Sequence, residues 1–565
     1  MRALRLPVAT GAVALPSVRK LRHYPGPNEI LAPRRGGGTE SAPMRLLRPS
    51  VRPLMLLASL GCALLARAEE APLAARAEHV VLIVWDGMRP DFVRADTTPA
   101  LHALAERGTF FANNHSVYIT STEVNGAALA TGCYPAHTGI VANLEYLPDL
   151  NLVRPLATEN LVTCRLGDIL RAGRYLGVST LAELVQRSGQ RTVVAGTKGV
   201  ALLHDRAFDR TAAPGSTILF AGKTYPPSAL APLTAKLGAF PEYPSAEILA
   251  PNAAQNAWTA RAFTEGLWRE GVPRFSTLWL GDPDYSQHLT QPGSATALAA
   301  LRNCDTYVGM VIATLHAKGV LEKTDIFVVS DHGFSTVDHA LDLAAILKKA
   351  GFGVVRSFPK TPRAGEILYV PLGGSAQFYV IGHEPAVVQK LAAFLQTTDF
   401  AGPIFTRDAL PGTFALRDVR LDAPDSPDLL FSYRWTDGAN ASGAPGLVAA
   451  DARKPGYGTH ASLSRFDIHN TLLAAGPDIR PHFRDTLPTA NVDVAPTIAQ
   501  LLGLSGAEKM DGRVLSEALA AVDYDAPKPD TATLEATTGG WRQWLKITTL
   551  GQHTYLDEGN AGPSK

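Results

Sequence analysis

A chain of 565 residues is far longer than one minimal core requires, and it has room for one large domain with insertions or for two to four ordinary domains. Apolar residues at 46%, charged residues at 19% and a formal net charge of +1 describe an ordinary globular composition, with no basic surplus to hold a polyanion. No block of Lys and Arg interleaved with aromatics interrupts the body of the chain, which argues against a stable nucleic-acid complex.

Residues 1–43 are rich in Arg, Pro and Gly without a sustained apolar period, and read as disordered or as a misassigned start. Met44 is the better start. From it, residues 44–68 have the form of a secretory signal peptide: basic Arg45, Arg48 and Arg52, an apolar run over 54–66, and Ala66-Arg67-Ala68 as a small-residue cleavage site. The apolar run falls well short of the ~20 residues that span a bilayer. The expectation is therefore an exported, periplasmic or extracellular protein with no membrane span. Cys62 invites comparison with a lipoprotein, but Ser59 stands where a lipobox carries an aliphatic residue. Cleavage leaves Cys133, Cys164 and Cys304, so at most one disulfide forms and no CxxC metal site exists.

Beyond the leader, short apolar runs alternate with amphipathic stretches. Residues 79–84 read as a strand buried on both faces, followed by strands at 192–195, 275–280 and 325–329. Between them, a helix over 99–107 has Thr98 as its cap and Pro99 at its first position, and one over 180–187 opens with a Thr180/Glu183 capping box. This alternation predicts a mainly parallel α/β sheet flanked by helices on both faces, and it assigns 79–335 to a core. Residues 336–456 are richer in Gly and Pro, with an alternating strand at 376–381 and a helix at 385–396, and read as an inserted α+β cap domain. The core resumes over 457–525, including Gly458-Thr459-His460, a strand at 471–475 and a helix at 494–502 closed by Gly503. Residues 541–557 read as a small β appendage.

Ligands of open α/β sheets gather beyond the carboxyl ends of the strands. Three predicted strands end in ionisable clusters: Asp86-Gly87, Asp282-Pro283-Asp284 and Asp331-His332-Gly333. Asp284 and His288 are four residues apart, so one helical turn aims both at a single point. His460 adds an imidazole from a Gly-rich loop. Taken singly, each has an ordinary alternative: a surface DxxxH pair, an Asp-Gly turn chosen for its backbone, a polar loop histidine. Recurrence at strand ends favours a site, and Asp86, Asp284, His288, Asp331, His332 and His460 supply six N/O ligands, three for each of two divalent ions. The histidine content suits zinc, while manganese and iron also use such a set.

The segments VWDGMRPDF, TSTEVNGAALATGCYPAHTGIVAN, DPDYSQH, VVSDHGFS, GTHASLSRFDIHNTLLAAGP and NVDVAPTIAQLLGL together resemble, in order, the motifs of the alkaline phosphatase superfamily, and in particular its nucleotide pyrophosphatase/phosphodiesterase branch. The resemblance implies an alkaline-phosphatase-like fold in which Asp284, His288 and His460 hold one zinc. It implies that Asp86, Asp331 and His332 hold the second together with the hydroxyl of Thr122. In this light Thr122 is the nucleophile that forms a phosphothreonine, and Asn143 hydrogen-bonds a non-bridging phosphate oxygen. Thr120 is a rival hydroxyl two residues before the family position. A sulfatase pattern is absent, since Cys133-Tyr134-Pro135-Ala136-His137 lacks the required Arg.

The implied substrate is a small phosphate ester. A diester or nucleotide pyrophosphate is preferred, with a phosphomonoester and a phosphonate as alternatives. Lys198 stands where related monoesterases carry Lys-x-Arg and phosphonate hydrolases Lys-x-Lys, but the second position here is Val200. Read alone, Lys198 is equally a solvated turn residue after the 192–195 strand. A non-catalytic binding protein of the same fold is the alternative from a different class, and the complete ligand set argues against it.

Overall fold

The computed structural model describes residues 75–244, 250–525 and 527–563. The amino-terminal features read from the sequence, including the signal peptide and Cys62, lie outside the described residues.

The strand His79–Trp85 is a run of apolar side chains, and it lies in the middle of a nine-stranded sheet with every residue after His79 buried. The sheet order is Phe483–Asp485, Thr109–Phe111, Leu472–Ala475, Thr324–Val329, His79–Trp85, Phe275–Leu280, Thr192–Gly196, Thr217–Phe220, Lys223–Tyr225. Five of its eight neighbour pairings are parallel, and three are antiparallel. The sheet is thus mainly parallel, as the alternation of strands and helices predicts.

Alternate side chains of the central strand feed two cores. Val80, Leu82 and Val84 pack with Ala127 and Leu129 of the helix Thr122–Thr131 and with Val494 and Ile498 of the helix Asn491–Leu502. Val81, Ile83 and Trp85 pack with Leu101 and Leu104 of the helix Pro99–Arg107 and with Val308 and Val311 of the helix Ala295–Ala317. Helices therefore cover both faces. Each such buried side chain stabilises the fold by roughly 1.5–3 kcal/mol over its exposed state. Among the described residues, no helix is long and apolar enough to cross a membrane.

Two local expectations are corrected. Thr98 precedes Pro99–Arg107, but its hydroxyl turns back to the Phe92 and Arg94 carbonyls instead of capping the helix. Asp305, from the neighbouring helix, accepts the free N–H groups of Ala100 and Leu101 at 2.9 and 2.8 Å. A tertiary carboxylate thus replaces a local hydroxyl. The Thr180/Glu183 capping box forms as its spacing predicts.

The second correction concerns the strand Ser375–Val380, which is buried at every position rather than alternating between core and solvent. Ala376, Phe378 and Val380 enter one cluster, while Tyr379 enters another with Tyr146 and Phe358. This strand belongs to a six-stranded sheet whose edges are Val354–Val355 and Phe414–Ala415. A three-stranded antiparallel sheet follows at Asp530–Thr538, Trp541–Leu550 and His553–Pro563. It is clamped to the six-stranded sheet by Gln543, whose amide pairs with both the N–H and the C=O of Ile404.

The parallel pairings set up the site. His79–Trp85 runs level with both neighbours, Val84 opposite Trp279 on one side and Val329 on the other. The residues that leave these three strands, Asp86, Asp284 and Asp331, consequently emerge together at one edge.

Candidate active site and metal centre

The turn after the central strand depends on Gly87, whose φ of +75° is in the left-handed region and whose missing side chain leaves room for the Phe334 ring and the Asp284 backbone. Its N–H donates to Asp331 Oδ1 at 2.9 Å, tying the ends of two strands. Asp284 and His288 lie on the short helix Asp284–Leu289, and one turn separates them, as their spacing predicts. Asp282 is not part of the cluster: it accepts from the N–H and hydroxyl of Ser286 and anchors that helix.

Three imidazoles are oriented alike. Nδ1 of His332 donates to Gly333 O at 2.9 Å, Nδ1 of His288 to Gly458 O at 3.1 Å, and Nδ1 of His460 to Thr120 O at 2.8 Å. A carbonyl only accepts, so each Nδ1 carries the proton, and each Nε2 of a neutral ring presents a lone pair. Burial pushes His288 and His460 below the ordinary histidine range, with His332 adding to the effect at His460, so both are neutral. Glycine at 333 permits this arrangement, since a Cβ there would meet Phe466 O.

Those lone pairs face carboxylate oxygens that have no partner. Asp284 Oδ1 lies 3.2 Å from His288 Nε2 and 3.5 Å from His460 Nε2. His332 Nε2 is 3.3 Å from Asp331 Oδ2 and 3.7 Å from Asp86 Oδ1. All three oxygens are buried and make no hydrogen bond. Acceptor against acceptor in a dry pocket is costly unless a cation lies between them. Two overlapping groups, Asp284–His332–His460 and Asp86–Asp331–His332, each bring their ligand atoms within 4.8 Å of one another. This donor set fits divalent ions with mixed nitrogen and oxygen ligation.

Lys198 supplies the existing counter-charge. Its Nζ stands 2.5 Å from Asp284 Oδ2 and 3.0 Å from Asp86 Oδ2, bridging the two ligand groups, and its side chain is only 12% exposed. It is therefore not a solvated turn residue. Burial alone would lower its pKa, but Asp284 and Asp86 hold it well above the usual lysine range. Burial likewise opposes ionisation of Asp284, and the Lys198 ammonium overcomes it to hold that carboxyl well below its ordinary value. Asp86 goes the other way, pushed up by burial and then by Asp331.

Thr122 is the first residue of the fully buried helix Thr122–Thr131, and its Oγ lies 3.4 Å from His332 Nε2. The positive end of that helix favours negative charge on its hydroxyl and on an anion beside it. Asn143 Oδ1 accepts from the N–H of Glu123 at 3.3 Å. Thr120 is turned away, its hydroxyl donating to Ser462 O. A cavity of about 340 Å³ opens on the cluster and is lined by Thr122, Asn143, Lys198, Asp284, His288 and His460 among others. Asp86, Asp331 and His332 lie behind that surface, each fully buried.

Sequence reasoning missed several supports of this cluster. Trp279 Nε1 donates to Asp86 Oδ2 at 2.9 Å. Asn491 Nδ2 donates to Asp331 O and to Asn125 Oδ1, and Asn470 and Asn114 extend the network. The signal for Asn491 was its place in NVDVAP. Nothing in the sequence marks Trp279 beyond a buried strand. Cys133, Cys164 and Cys304 are all buried and unpaired.

A mainly parallel sheet that delivers two sets of acidic and imidazole ligands to one edge, with a threonine at a helix start beside them, defines an alkaline-phosphatase-like α/β protein. The type I phosphodiesterase / nucleotide pyrophosphatase family model matches residues 80–437, and the chain belongs to that family. Mouse ectonucleotide pyrophosphatase/phosphodiesterase family member 1 is 24% identical over 275 residues, 47% of this chain and 25% of that protein. Human family member 7 is 24% identical over 306 residues, 53% and 58% of the two chains. A venom phosphodiesterase of Naja atra is 23% identical over 264 residues, 46% and 26%. The matches thus span a quarter to 58% of the length of these curated relatives. Murine ectonucleotide pyrophosphatase/phosphodiesterase 5 superposes with a TM-score of 0.56 at 17% identity, over 78% of this chain and all of that one. It has also been solved in complex with AMP. At that identity the likeness is one of fold.

Proposed function

We propose that the protein is an exported phosphodiester hydrolase in which Thr122 is the nucleophile and two divalent metal ions, zinc by the histidine content, are the cofactors. The observation that carries this reading is the row of unpaired carboxylate oxygens opposite histidine Nε2 atoms, set against a hydroxyl at a helix start. Asp284, His288 and His460 are assigned to one ion, and Asp86, Asp331 and His332 with the Thr122 hydroxyl to the other. Divalent cations held there supply charge that stabilises an alkoxide and the developing negative charge on phosphate oxygens. Thr122 Oγ forms the bond to phosphorus as the ester oxygen leaves, and water then cleaves the phosphothreonine and restores the hydroxyl. Asn143, fixed by the Glu123 N–H, orients a non-bridging oxygen. His332, His288 and His460 are locked by their carbonyl partners with the Nε2 lone pair facing the cluster, and since those lone pairs are assigned to the ions, none is left to act as a general base. The names of the relatives, ectonucleotide enzymes and venom enzymes, support export.

The position of Val200 favours a diester over a monoester. It is fully buried in the core, and a Cβ on Gly126 would collide with it. The second cation of a Lys-x-Arg pair therefore has no place in the cavity, and the single ammonium of Lys198 is already bound to two carboxylates. A zinc-loaded preparation assayed on matched aryl phosphate diester, monoester and phosphonate tests this. The diester is expected to lead, and a monoester preference above about tenfold, ~1.4 kcal/mol in transition-state binding, rejects the reading.

A further inference from the structure

Trp279 has a hydrogen-bond partner that core packing alone does not explain. Four other indole N–H groups find a backbone carbonyl or a hydroxyl: Gly238 O for Trp258, Ser276 Oγ for Trp268, Gly559 O for Trp435 and Gly412 O for Trp541. Trp85 does without, its buried Nε1 having no partner, so this fold tolerates an unanswered indole. Among the described tryptophans, Trp279 alone donates to an ionisable side chain, Asp86 Oδ2 at 2.9 Å, and both residues are fully buried.

The surroundings aim this donor. Trp279 lies in the strand Phe275–Leu280, level with Val84 of the central strand, two residues before Asp86. A Cβ on Gly126, one turn beyond Thr122 on the helix of the candidate nucleophile, would come within 3.4 Å of the far edge of the ring at Cη2. His204 meets the indole edge to face, with ring centres 5.5 Å apart. The indole is thus wedged between the helix that carries Thr122 and the carboxylate of Asp86.

The consequence falls on Asp86. Its Oδ2 takes the Trp279 N–H and lies 3.0 Å from Lys198 Nζ, whereas Oδ1 has no partner and lies 3.7 Å from His332 Nε2. A carboxylate with both oxygens free can turn or offer both of them; with Oδ2 tied, it offers Oδ1. The Lys198 ammonium is shared with Asp284, and its charge repels a cation placed beside it. The indole is neutral and rigid, so it holds the carboxylate without opposing an ion. Hydrogen-bonded partners of this kind orient metal ligands, and losing one weakens metal binding by about 10–100-fold. Resting on the two-ion reading of the site, we infer that Trp279 is a positioning residue for the ion assigned to Asp86, Asp331 and His332. Its N–H fixes Asp86 with Oδ1 as the ligand oxygen, and it sets the affinity for that ion without affecting the other.

The test separates the N–H from the bulk of the ring. The full chain is prepared with 3-benzothienylalanine at position 279, which keeps the shape of the indole and replaces its N–H by sulfur, and separately as Trp279→Phe. Zinc affinities are read by competition with a chromophoric chelator, and His288→Ala marks the binding step that belongs to the other ion. The wild type is expected to bind two ions. The benzothienyl variant should bind the ion at Asp86 at least about tenfold more weakly and the other within about twofold. Trp279→Phe should show the same selective loss with a lower urea midpoint in chelator, because it also leaves a cavity. Zinc affinities that the benzothienyl ring leaves unchanged mean that the N–H only satisfies a buried indole, and they overturn the inference. An equal fall at both ions, or a fall confined to the step marked by His288→Ala, also overturns it. A wild type that takes up fewer than two ions overturns the two-ion reading itself, and the inference with it.

Discussion

The two ends of the strand Thr324–Val329 both carry buried carboxyl groups, and they dispose of the charge in opposite ways. At the amino edge, Asp325 stands beside Asp478, whose N–H it accepts. Burial, with that second carboxyl adding to it, pushes Asp325 up to about 7, so the edge is relieved by holding a proton. At the carboxyl edge, Asp86 and Asp284 are relieved by a cation, the Lys198 ammonium, and together with Asp331 they still leave three oxygens unpaired. A third treatment appears nearby at Asp467, which accepts from Ser335 Oγ, Ser462 Oγ and Ser462 N and leaves nothing over. Burial of a carboxyl thus says little about role. What sets the carboxyl edge apart is that its unanswered oxygens face imidazole lone pairs.

The largest expected effects fall on the unanswered edge. Thr122→Ala should lower turnover of an aryl phosphodiester by at least about a thousandfold, since nucleophile and alkoxide are lost together. Elemental analysis should find the bound metal largely retained, because six other ligands remain. Loss of metal along with activity would make Thr122 a structural residue. Prolonged chelation should abolish the same activity, and zinc should restore it.

Next comes Lys198. In the metal-free protein, Lys198→Met leaves Asp86 and Asp284 without their counter-charge, and breaking a buried pair in this way costs about 3–5 kcal/mol. Urea denaturation should show that loss in chelator and a clearly smaller one in zinc, which takes over the neutralising role. Equal losses in both conditions would mean that the ammonium does not substitute for the ions.

Much of the carboxyl edge was legible because strand ends carry chemistry in one-dimensional form. A continuous apolar run followed by Asp86-Gly87 or Asp331-His332 states both where the strand stops and what it presents. The Asp284/His288 spacing states that one helical turn joins them. The remainder lay in contacts between distant segments. Trp279 reads as an ordinary residue of a buried strand, and only the approach of Asp86 from the neighbouring strand makes it unusual. The alternating pattern at 376–381 puts polar Gln377 on a solvent face, yet Gln377 is fully buried. Thr98 has the residue type of a cap, and Asp305, two hundred residues away, does the capping.

A smaller contrast separates answered from unanswered carboxylates directly. In chelated protein, Asp331→Asn should raise stability by about 1–2 kcal/mol, because it removes one of the charges that push Asp86 up. Asp467→Asn should lower it by about 2 kcal/mol, since an amide NH2 would then face hydroxyl and N–H donors. Chemical denaturation of the two variants side by side measures the difference, and shifts of the same sign would undo the distinction drawn between the two positions.

The amino edge gives the effect with a definite pH dependence. Asp325 has a folded pKa of about 7 against 3.8 for the free side chain. Between those values the folded protein keeps a proton that the unfolded chain releases, so stability falls as pH rises through the window, and the penalty is complete above pH 7. Asn at 325 keeps an acceptor for the Asp478 N–H and carries no titrating group. Asp325→Asn should therefore differ little from wild type near pH 4 and should become more stable than it by about 4 kcal/mol at pH 8. Denaturation midpoints at pH 4, 6 and 8 follow the predicted divergence. A gain that is the same at all three would show that the proton is not held at this edge, and that the two ends of the strand do not differ in the way their neighbours imply.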